Sequence, residues 1–563
     1  MDRLRFRSID SKLVPVRYVL ALGLVASAAL VPPGFFDASV ASKIGFRFEA
    51  SKTPSKYLIE AMGGGVAMFD ADGDGKLDLF FVNGAALKPG MSATSLADKA
   101  DPRYWNRLYR NQGDGTFIDI TSTTGVRGKG YGQGVATGDC DNDGRPDLFV
   151  TALGGNTLYR NQGGAVFEDI TGTTGVGGSG WSTSAGFLDY DRDGNLDLFV
   201  ARYLDWDFGK SKLCGGTGDA QAYCHPNEFR PVTHLLYRGL GGCRFEDVSA
   251  ASHVADSPGK GLGVAFQDMD RDGWPDIFVA NDSFPQQIFH NRRDGTFEQS
   301  ALTLGAAFDE DGKVFAGMGV DLADYDNDGA PDVFVNALAN QGYALFRNSK
   351  GMFDYASGVT GVTAASKMHS GWGARFLDYD NDGWKDIFVA QGHVMDNIEL
   401  TQPALHYRER PLLLRNVRGK FSDISAEAGA PFLAEMAGRG AAFGDFNNDG
   451  AIDVVVSSNT GSPRIFRNIP TGNHWLLVDT VGTKSNRDGA GAVVRIVTAS
   501  GREQFGYVST AGSYLSAHDK RVHFGLAGDR MVKLLEVRWP GGKIQTWHNI
   551  AANQTFVAKE AAQ

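Results

Sequence analysis

Asp70-Ala-Asp72-Gly-Asp74-Gly75-Lys-Leu-Asp78 decides the fold of this chain, because the same nine-residue frame returns from Asp139, Asp189, Asp268, Asp324, Asp378 and Asp445. Acidic side chains stand at positions 1, 3, 5 and 9, and glycine always at position 6. The candidate metal ligands are Asp70, Asp72, Asp74 and Asp78; Asp139, Asp141, Asp143 and Asp147; Asp189, Asp191, Asp193 and Asp197; and Asp268, Asp270, Asp272 and Asp276. The last three copies add Asp324, Asp326, Asp328 and Asp332; Asp378, Asp380, Asp382 and Asp386; and Asp445, Asn447, Asp449 and Asp453. Only Asn447 departs from the pattern, and its amide oxygen still ligates. Oxygen ligands at alternate positions on a tight glycine turn suit a hard cation of high coordination number, which points to Ca²⁺ at up to seven sites.

The loop is not an EF-hand. That motif closes with a bidentate Glu at position 12 and continues as a helix. Here position 12 is Phe81, Val150, Val200, Val279, Val335, Val389 or Val456, inside short apolar runs such as Asp453-Val-Val-Val456. β-Branched runs of that length read as buried strands. The fourth carboxylate therefore comes from position 9. Position 7 varies from Lys76 to Trp274 to Ala330, as expected of a residue that ligates through its backbone carbonyl.

Each loop sits inside a larger repeat. A glycine-rich apolar stretch precedes it, as in Gly63-Gly-Gly-Val-Ala-Met-Phe69. A second echo follows, as in Leu108-Tyr-Arg-Asn111 and Ile465-Phe-Arg-Asn468, and then a turn and a third, as in Gly113-Asp-Gly-Thr-Phe117. This predicts four strands per repeat, with the loop between the first two. Seven repeats predict an all-β, seven-bladed β-propeller over 44–470. The seventh repeat lacks its third echo, and an orphan one, Ile44-Gly-Phe-Arg-Phe-Glu49, precedes the first repeat. The expectation is that this N-terminal segment supplies the last strand of the last blade and closes the ring.

Composition and targeting signals bound the function. The formal net charge of −11 argues against a nucleic-acid partner. Fourteen positive charges on seven ions would turn −11 into +3, so the acidity belongs to the loops. Residues 1–33 place five basic residues before an apolar run from Tyr18 to Val31, with Ala26-Ser-Ala28 as a cleavage site. This reads as an export signal, or as a single membrane anchor if retained. Cys214 and Cys224 fall in one polar insert and suit a disulfide in an oxidising compartment; Cys140 and Cys243 leave the connectivity open.

The repeats resemble the FG-GAP or VCBS repeats of integrin-α-type propellers. Met318-Gly-Val-Asp-Leu-Ala-Asp-Tyr-Asp-Asn-Asp-Gly329 and Gly371-Trp-Gly-Ala-Arg-Phe-Leu-Asp-Tyr-Asp-Asn-Asp-Gly-Trp384 are similar to the subgroup related to cartilage acidic protein. Asn486-Arg-Asp-Gly-Ala-Gly-Ala492, Gly512-Ser-Tyr-Leu-Ser516, Val522-His-Phe-Gly-Leu526 and Val537-Arg-Trp-Pro-Gly-Gly-Lys543 resemble the ASPIC/UnbV domain in order and spacing. The resemblance implies an exported calcium-binding propeller with a small β-rich domain, here 473–558. Strands are expected at Trp475–Asp479, Ala492–Val497, Phe505–Val508, Leu534–Trp539 and Ile544–Trp547. Asn486-Arg-Asp488-Gly489 reads either as a functional loop or as a turn.

No Gly-x-Ser-x-Gly elbow, P-loop or His-Glu-x-x-His is present. His369, His393, His406 and Arg375 fall around the sixth repeat, and Trp181, Met318, His369, Trp372 and Arg439 are expected at the channel or its rim. The favoured function is a secreted, periplasmic or cell-surface recognition or scaffold module for an extracellular protein or glycan, not an enzyme. Its binding surface is expected on the long loops 83–106 and 203–233, with Trp105, Trp206 and Tyr223. The alternative is a pore-based lyase, cyclase or alkylating enzyme of secondary metabolism, which rests on the resemblance alone.

Overall fold

The structure, a computed structural model, describes residues 34–562; the export or anchor segment read at 1–33 lies outside them. Each acidic loop ends where an apolar run begins, and each run is the second strand of a four-stranded antiparallel sheet. The first sheet runs Val66–Phe69, Asp78–Phe81, Arg107–Asn111 and Phe117–Asp119 in spatial order. Six more follow the same scheme, with inner strands Tyr131–Gly138, Ser182–Leu188, Gly261–Gln267, Val320–Ala323, Gly371–Leu377 and Gly438–Gly444. Each inner strand packs against the next, and that of the seventh sheet returns to the first, so the sheets form a closed β-propeller. The cores lie between neighbouring sheets; one, for example, joins Phe334, Phe346, Phe376 and Val389.

The ring closes through the N-terminal side of the chain, but not through the expected segment. The fourth strand of the seventh sheet is Gly34–Asp37, antiparallel to Arg464–Ile469, with Gly34 opposite Ile469 and Asp37 opposite Phe466. Phe35 is buried there and packs on Phe432, ring centroids 5.5 Å apart. Ile44–Glu49 instead wedges between the seventh and first sheets. Phe46 stacks on Phe81 at 4.7 Å, and Phe48 keeps only an isolated bridge to Gly461. Both segments carry paired phenylalanines. The gap between sheets takes the one whose rings both fit inside, while the edge takes the one with a single buried ring.

The C-terminal domain is two sheets around Leu476, Val494, Ile496, Phe524, Leu535 and Trp539. One orders Val522–Ala527, His474–Val481 and Gln554–Lys559; the other orders Glu503–Tyr507, Val493–Thr498, Met531–Arg538 and Ile544–Ala551. Val522–Ala527 and Gln554–Lys559 are strands beyond the five expected. Among the described residues no helix is long and apolar enough to cross a membrane. Disulfides join Cys214 to Cys224, as expected, and Cys140 to Cys243. The second ties the acidic loop of the second sheet to the outer hairpin of the third.

Candidate functional site

The loop geometry follows from its sequence. Glycine at position 6 adopts a positive φ in every copy, from 81° at Gly75 to 97° at Gly273. There its amide donates to the position 1 carboxylate, 2.8 Å in Gly75→Asp70 and 2.9 Å in Gly329→Asp324. Position 4 is also left-handed and is Gly, Asn or Arg, as at Gly73, Asn142 and Arg271. At position 9 one oxygen accepts the position 2 amide and the other an amide from the third strand. In the first loop Ala71 and Asn111 donate to Asp78 at 3.0 and 2.8 Å; in the second, Cys140 and Asn161 donate to Asp147 at 3.0 and 2.7 Å. Asp78, Asp197, Asp332 and Asp453 are thereby fully buried.

The carboxylates converge. One oxygen each from Asp70, Asp72 and Asp78, from Asp139, Asp141 and Asp147, and from Asp189, Asp191 and Asp197 lie within 4.8 Å of one another. In the fourth loop the close set is Asp270, Asp272 and His290. Burial pushes Asp78, Asp189, Asp268, Asp324 and Asp378 up to about 7, Asp147 to about 8 and Asp332 to about 9. Crowding by the other carboxylates of the same loop adds to each shift. Five buried loop oxygens, on Asp141, Asp189, Asp326, Asn381 and Asn447, have no hydrogen-bond donor, and all but that of Asn381 stand at ligand positions. Asn447 spends its amide nitrogen on Asp449 at 2.7 Å, which leaves its oxygen free. Buried acceptors without donors are the arrangement a cation satisfies.

Residues outside the nine-residue frame complete the site. The Arg of the Tyr-Arg-Asn echo reaches back to position 3, with Arg160 on Asp141 and Arg347 on Asp326 at 2.6 Å and Arg415 on Asp380 at 2.9 Å. The Asn of that echo bridges two loops. Asn111 donates to Leu77 O of its own loop and to Phe446 O of the preceding one; Asn348 does the same to Pro331 O and Met269 O. The echo was visible in the sequence, but its role depends on which loop lies beside it.

The first strand runs towards the acidic loop, so all these loops lie on one face and the inserts between second and third strands lie on the other. The C-terminal domain docks on the acidic face. Asp488 accepts the Asp139 amide at 2.8 Å, and Asn486 donates to Asp189 at 3.3 Å. The Arg487 amide donates to Asn142 at 2.7 Å, and Arg502 donates to Asp382 O. Asn486–Gly489 is thus a turn that also grips two acidic loops. From the same domain Thr510–His518 enters the channel. Ala517 donates to Val66 O at 3.0 Å, Val320 and Ser513 exchange backbone bonds, and Tyr514 Oη donates to Met62 O at 2.6 Å.

The channel residues are accordingly buried. Trp181, Met318 and Trp372 pack with Tyr514 and Leu515, and the Arg439 guanidinium lies 4.0 Å from the Trp372 ring centre. Above them Tyr57, from the segment before the first inner strand, and Trp206, Phe208 and Tyr223, from the insert of the third sheet, form an aromatic cap. Trp206 and Tyr223 are therefore core residues, not the exposed rim expected. Trp105 sits between Arg107 and Arg127. The histidines do not form a cluster with Arg375. His369 pairs with Glu409 at 3.1 Å, His393 is buried with its carbonyl on Arg439, His406 is exposed, and Arg375 faces a different cavity beside Asp321.

Comparison with known proteins adds two family matches. Residues 70–150, 139–200, 268–335 and 324–389 match the FG-GAP-like repeat, and residues 482–563 match ASPIC and UnbV. Human cartilage acidic protein 1 is 28% identical over 345 residues, which are 58% of this chain and 47% of the human protein. The Xenopus tropicalis protein of that name is 27% identical over 311 residues, 51% of this chain and 42% of its own. The chain spans about half the length of the curated relatives it matches. An Agrocybe aegerita lectin structure aligns with a TM-score of 0.38 at 14% identity, covering 65% of this chain and 88% of the lectin. Saccharomyces cerevisiae Sqt1 aligns with a TM-score of 0.35 at 11% identity, covering 73% and 100%.

Proposed function

We propose that this protein, a propeller of FG-GAP-like repeats with a C-terminal ASPIC and UnbV domain, is an exported recognition or scaffold module whose acidic loops hold Ca²⁺ structurally. The observation that carries the reading is the set of donorless buried oxygens on Asp141, Asp189, Asp326 and Asn447. They belong to four different loops and all stand at ligand positions. A hard cation satisfies them and compensates the crowded carboxylates. Positions 1, 3, 5 and 9 with the position 7 carbonyl would fill most of a calcium shell, leaving little room for the substrate that metal-assisted hydrolysis needs. The Thr510–His518 segment in the channel and the aromatic cap above it count against pore-based catalysis. Two disulfides suit an oxidising compartment. The outer surface of the cap, built on inserts held by a rigid ring, is where a protein or glycan would be recognised.

The test is calcium stoichiometry by elemental analysis together with melting in calcium and in excess EGTA. Several ions per chain and a large fall in Tm on chelation are expected. An unchanged melting curve refutes structural calcium. Calcium-dependent turnover of phosphate esters, acyl esters or glycosides, abolished by Asp326→Asn with the fold intact, refutes the recognition reading.

A further inference from the structure

At the acidic-face end of the channel, below the Thr510–His518 segment, lies a cavity of about 90 Å³. The fourth to seventh sheets form one side, and the C-terminal domain forms the other. Its lining includes Gln267, Arg375, Lys385, Arg521 and His523 beside three carboxylates, Asp321, Asp378 and Asp519.

The hydrogen-bonding inventory of these walls is one-sided. Gln267 Nε2, Arg521 Nη2 and His523 Nδ1 are buried without a partner. Gln267 is 2% exposed and His523 9%. The Arg375 guanidinium forms no hydrogen bond or ion pair among the described residues, although Asp321, Lys385 and His518 lie within its electrostatic reach. The acceptors, by contrast, are engaged. Asp321 takes the Phe376 amide at 2.9 Å, and Asp378 takes the Asp382 and Gly383 amides at 2.9 and 2.8 Å. Asp519 takes the Arg521 amide and Nε at 3.0 and 2.7 Å. The unused donors are Gln267 Nε2, the Arg375 guanidinium and Arg521 Nη2, from both domains; the His523 ring donates through Nε2 to Gly450 O at 3.2 Å, so its Nδ1 is an acceptor. The matching ligand is acceptor-rich and anionic. The space is small, which suits a tetrahedral oxyanion.

We propose that this cavity binds a tetrahedral oxyanion, inorganic phosphate or sulfate, between the propeller and the C-terminal domain. Charge-assisted bonds from the Arg375 and Arg521 guanidiniums, with the Gln267 amide, would make the anion part of the domain interface. Sulfate is the practical probe, because phosphate precipitates with calcium. The chain from Gly34, prepared in chloride buffer with calcium, is titrated with sodium sulfate by calorimetry and by thermal melting, with sodium chloride matched in ionic strength. A saturable one-site isotherm and a Tm rise beyond the chloride control are expected. Affinity should fall at least about tenfold in Arg375→Gln and in Gln267→Leu, each keeping the wild-type melting response to calcium. Gln267→Leu alone carries the test if Arg375→Gln does not fold. Wild-type sulfate affinity in a folded variant, or no saturable response in the wild type, would overturn the proposal and leave the donors to water.

Discussion

Asp332 shows what each loop demands of a single side chain. Its two oxygens accept amides from Tyr325 at 3.2 Å and Asn348 at 2.8 Å, and burial with two acidic neighbours pushes its pKa to about 9. The unfolded chain loses the same proton near the ordinary carboxyl value of 3.8. Between these values the metal-free native state binds more protons than the unfolded state, so stability falls as pH rises. In EGTA the Tm should therefore be higher at pH 5.5 than at pH 7.5. With saturating calcium the order should reverse, because the ion needs the ionised carboxylates. Equal pH profiles with and without calcium would contradict cation binding at these residues. Asp272→Ala removes the acceptor of the Trp274 amide at 2.8 Å and the partner of Arg293 at 2.6 Å. It should cost about 1–3 kcal/mol in calcium. Asp309→Ala, outside any acidic loop, should cost about 0.5 kcal/mol. Urea melts of the two variants decide this.

At the scale of elements, the informative case is the four-residue strand Gly34–Asp37. Without it, Arg464–Ile469 becomes an unpaired edge and the Phe35 pocket opens beside Phe432 and Phe466. Burying one phenylalanine is worth about 1.5–3 kcal/mol, and an open edge invites association. A chain beginning at Gly34 should melt cooperatively as a monomer. A chain beginning at Ile44 should have a lower Tm and form concentration-dependent aggregates in light scattering. Matching melting and scattering of the two truncations would remove Gly34–Asp37 from the closure of the ring. The Asn latch acts on the same scale: Asn348 ties Pro331 O to Met269 O and so joins the fifth acidic loop to the fourth.

At the scale of the molecule, the C-terminal domain is docked through the acidic loops themselves. Asn486 and Asp488 grip the second and third loops, the Ala527 amide donates to Asn381 O at 2.8 Å, and Tyr514 fills the channel axis against Trp372. Removing calcium should loosen this interface before the sheets unfold. Hydrogen exchange at Thr510–His518 should accelerate in EGTA while Val454–Val456, deep in a sheet, stays protected. Unchanged exchange at Thr510–His518 would separate docking from the ions. Tyr514→Ala should destabilise the whole molecule by about 3–5 kcal/mol, as for a large aromatic removed from a closed core.

The repeating frame by itself determined the loops, their four-stranded setting and the all-β architecture. Glycine at position 6 and alternating carboxylates are local necessities, and local necessity is written in consecutive residues. The C-terminal strands from Trp475 and Leu534 were legible for the same reason, through their apolar alternation. Tertiary structure alone decided between Phe35 and Phe46 for the closing edge, because both segments carry the same aromatic signal and only the shape of the gap distinguishes them. It also placed Gly512–Ser516 on the propeller axis. Gly65, just before the first inner strand, could carry no side chain there, since a Cβ would stand 2.4 Å from Leu515 O. Arg375 likewise looked like a neighbour of His369 in the chain. The strand direction sends the two to opposite faces, and that separation leaves the guanidinium beside Gln267 and His523 rather than beside a histidine it follows by only six residues.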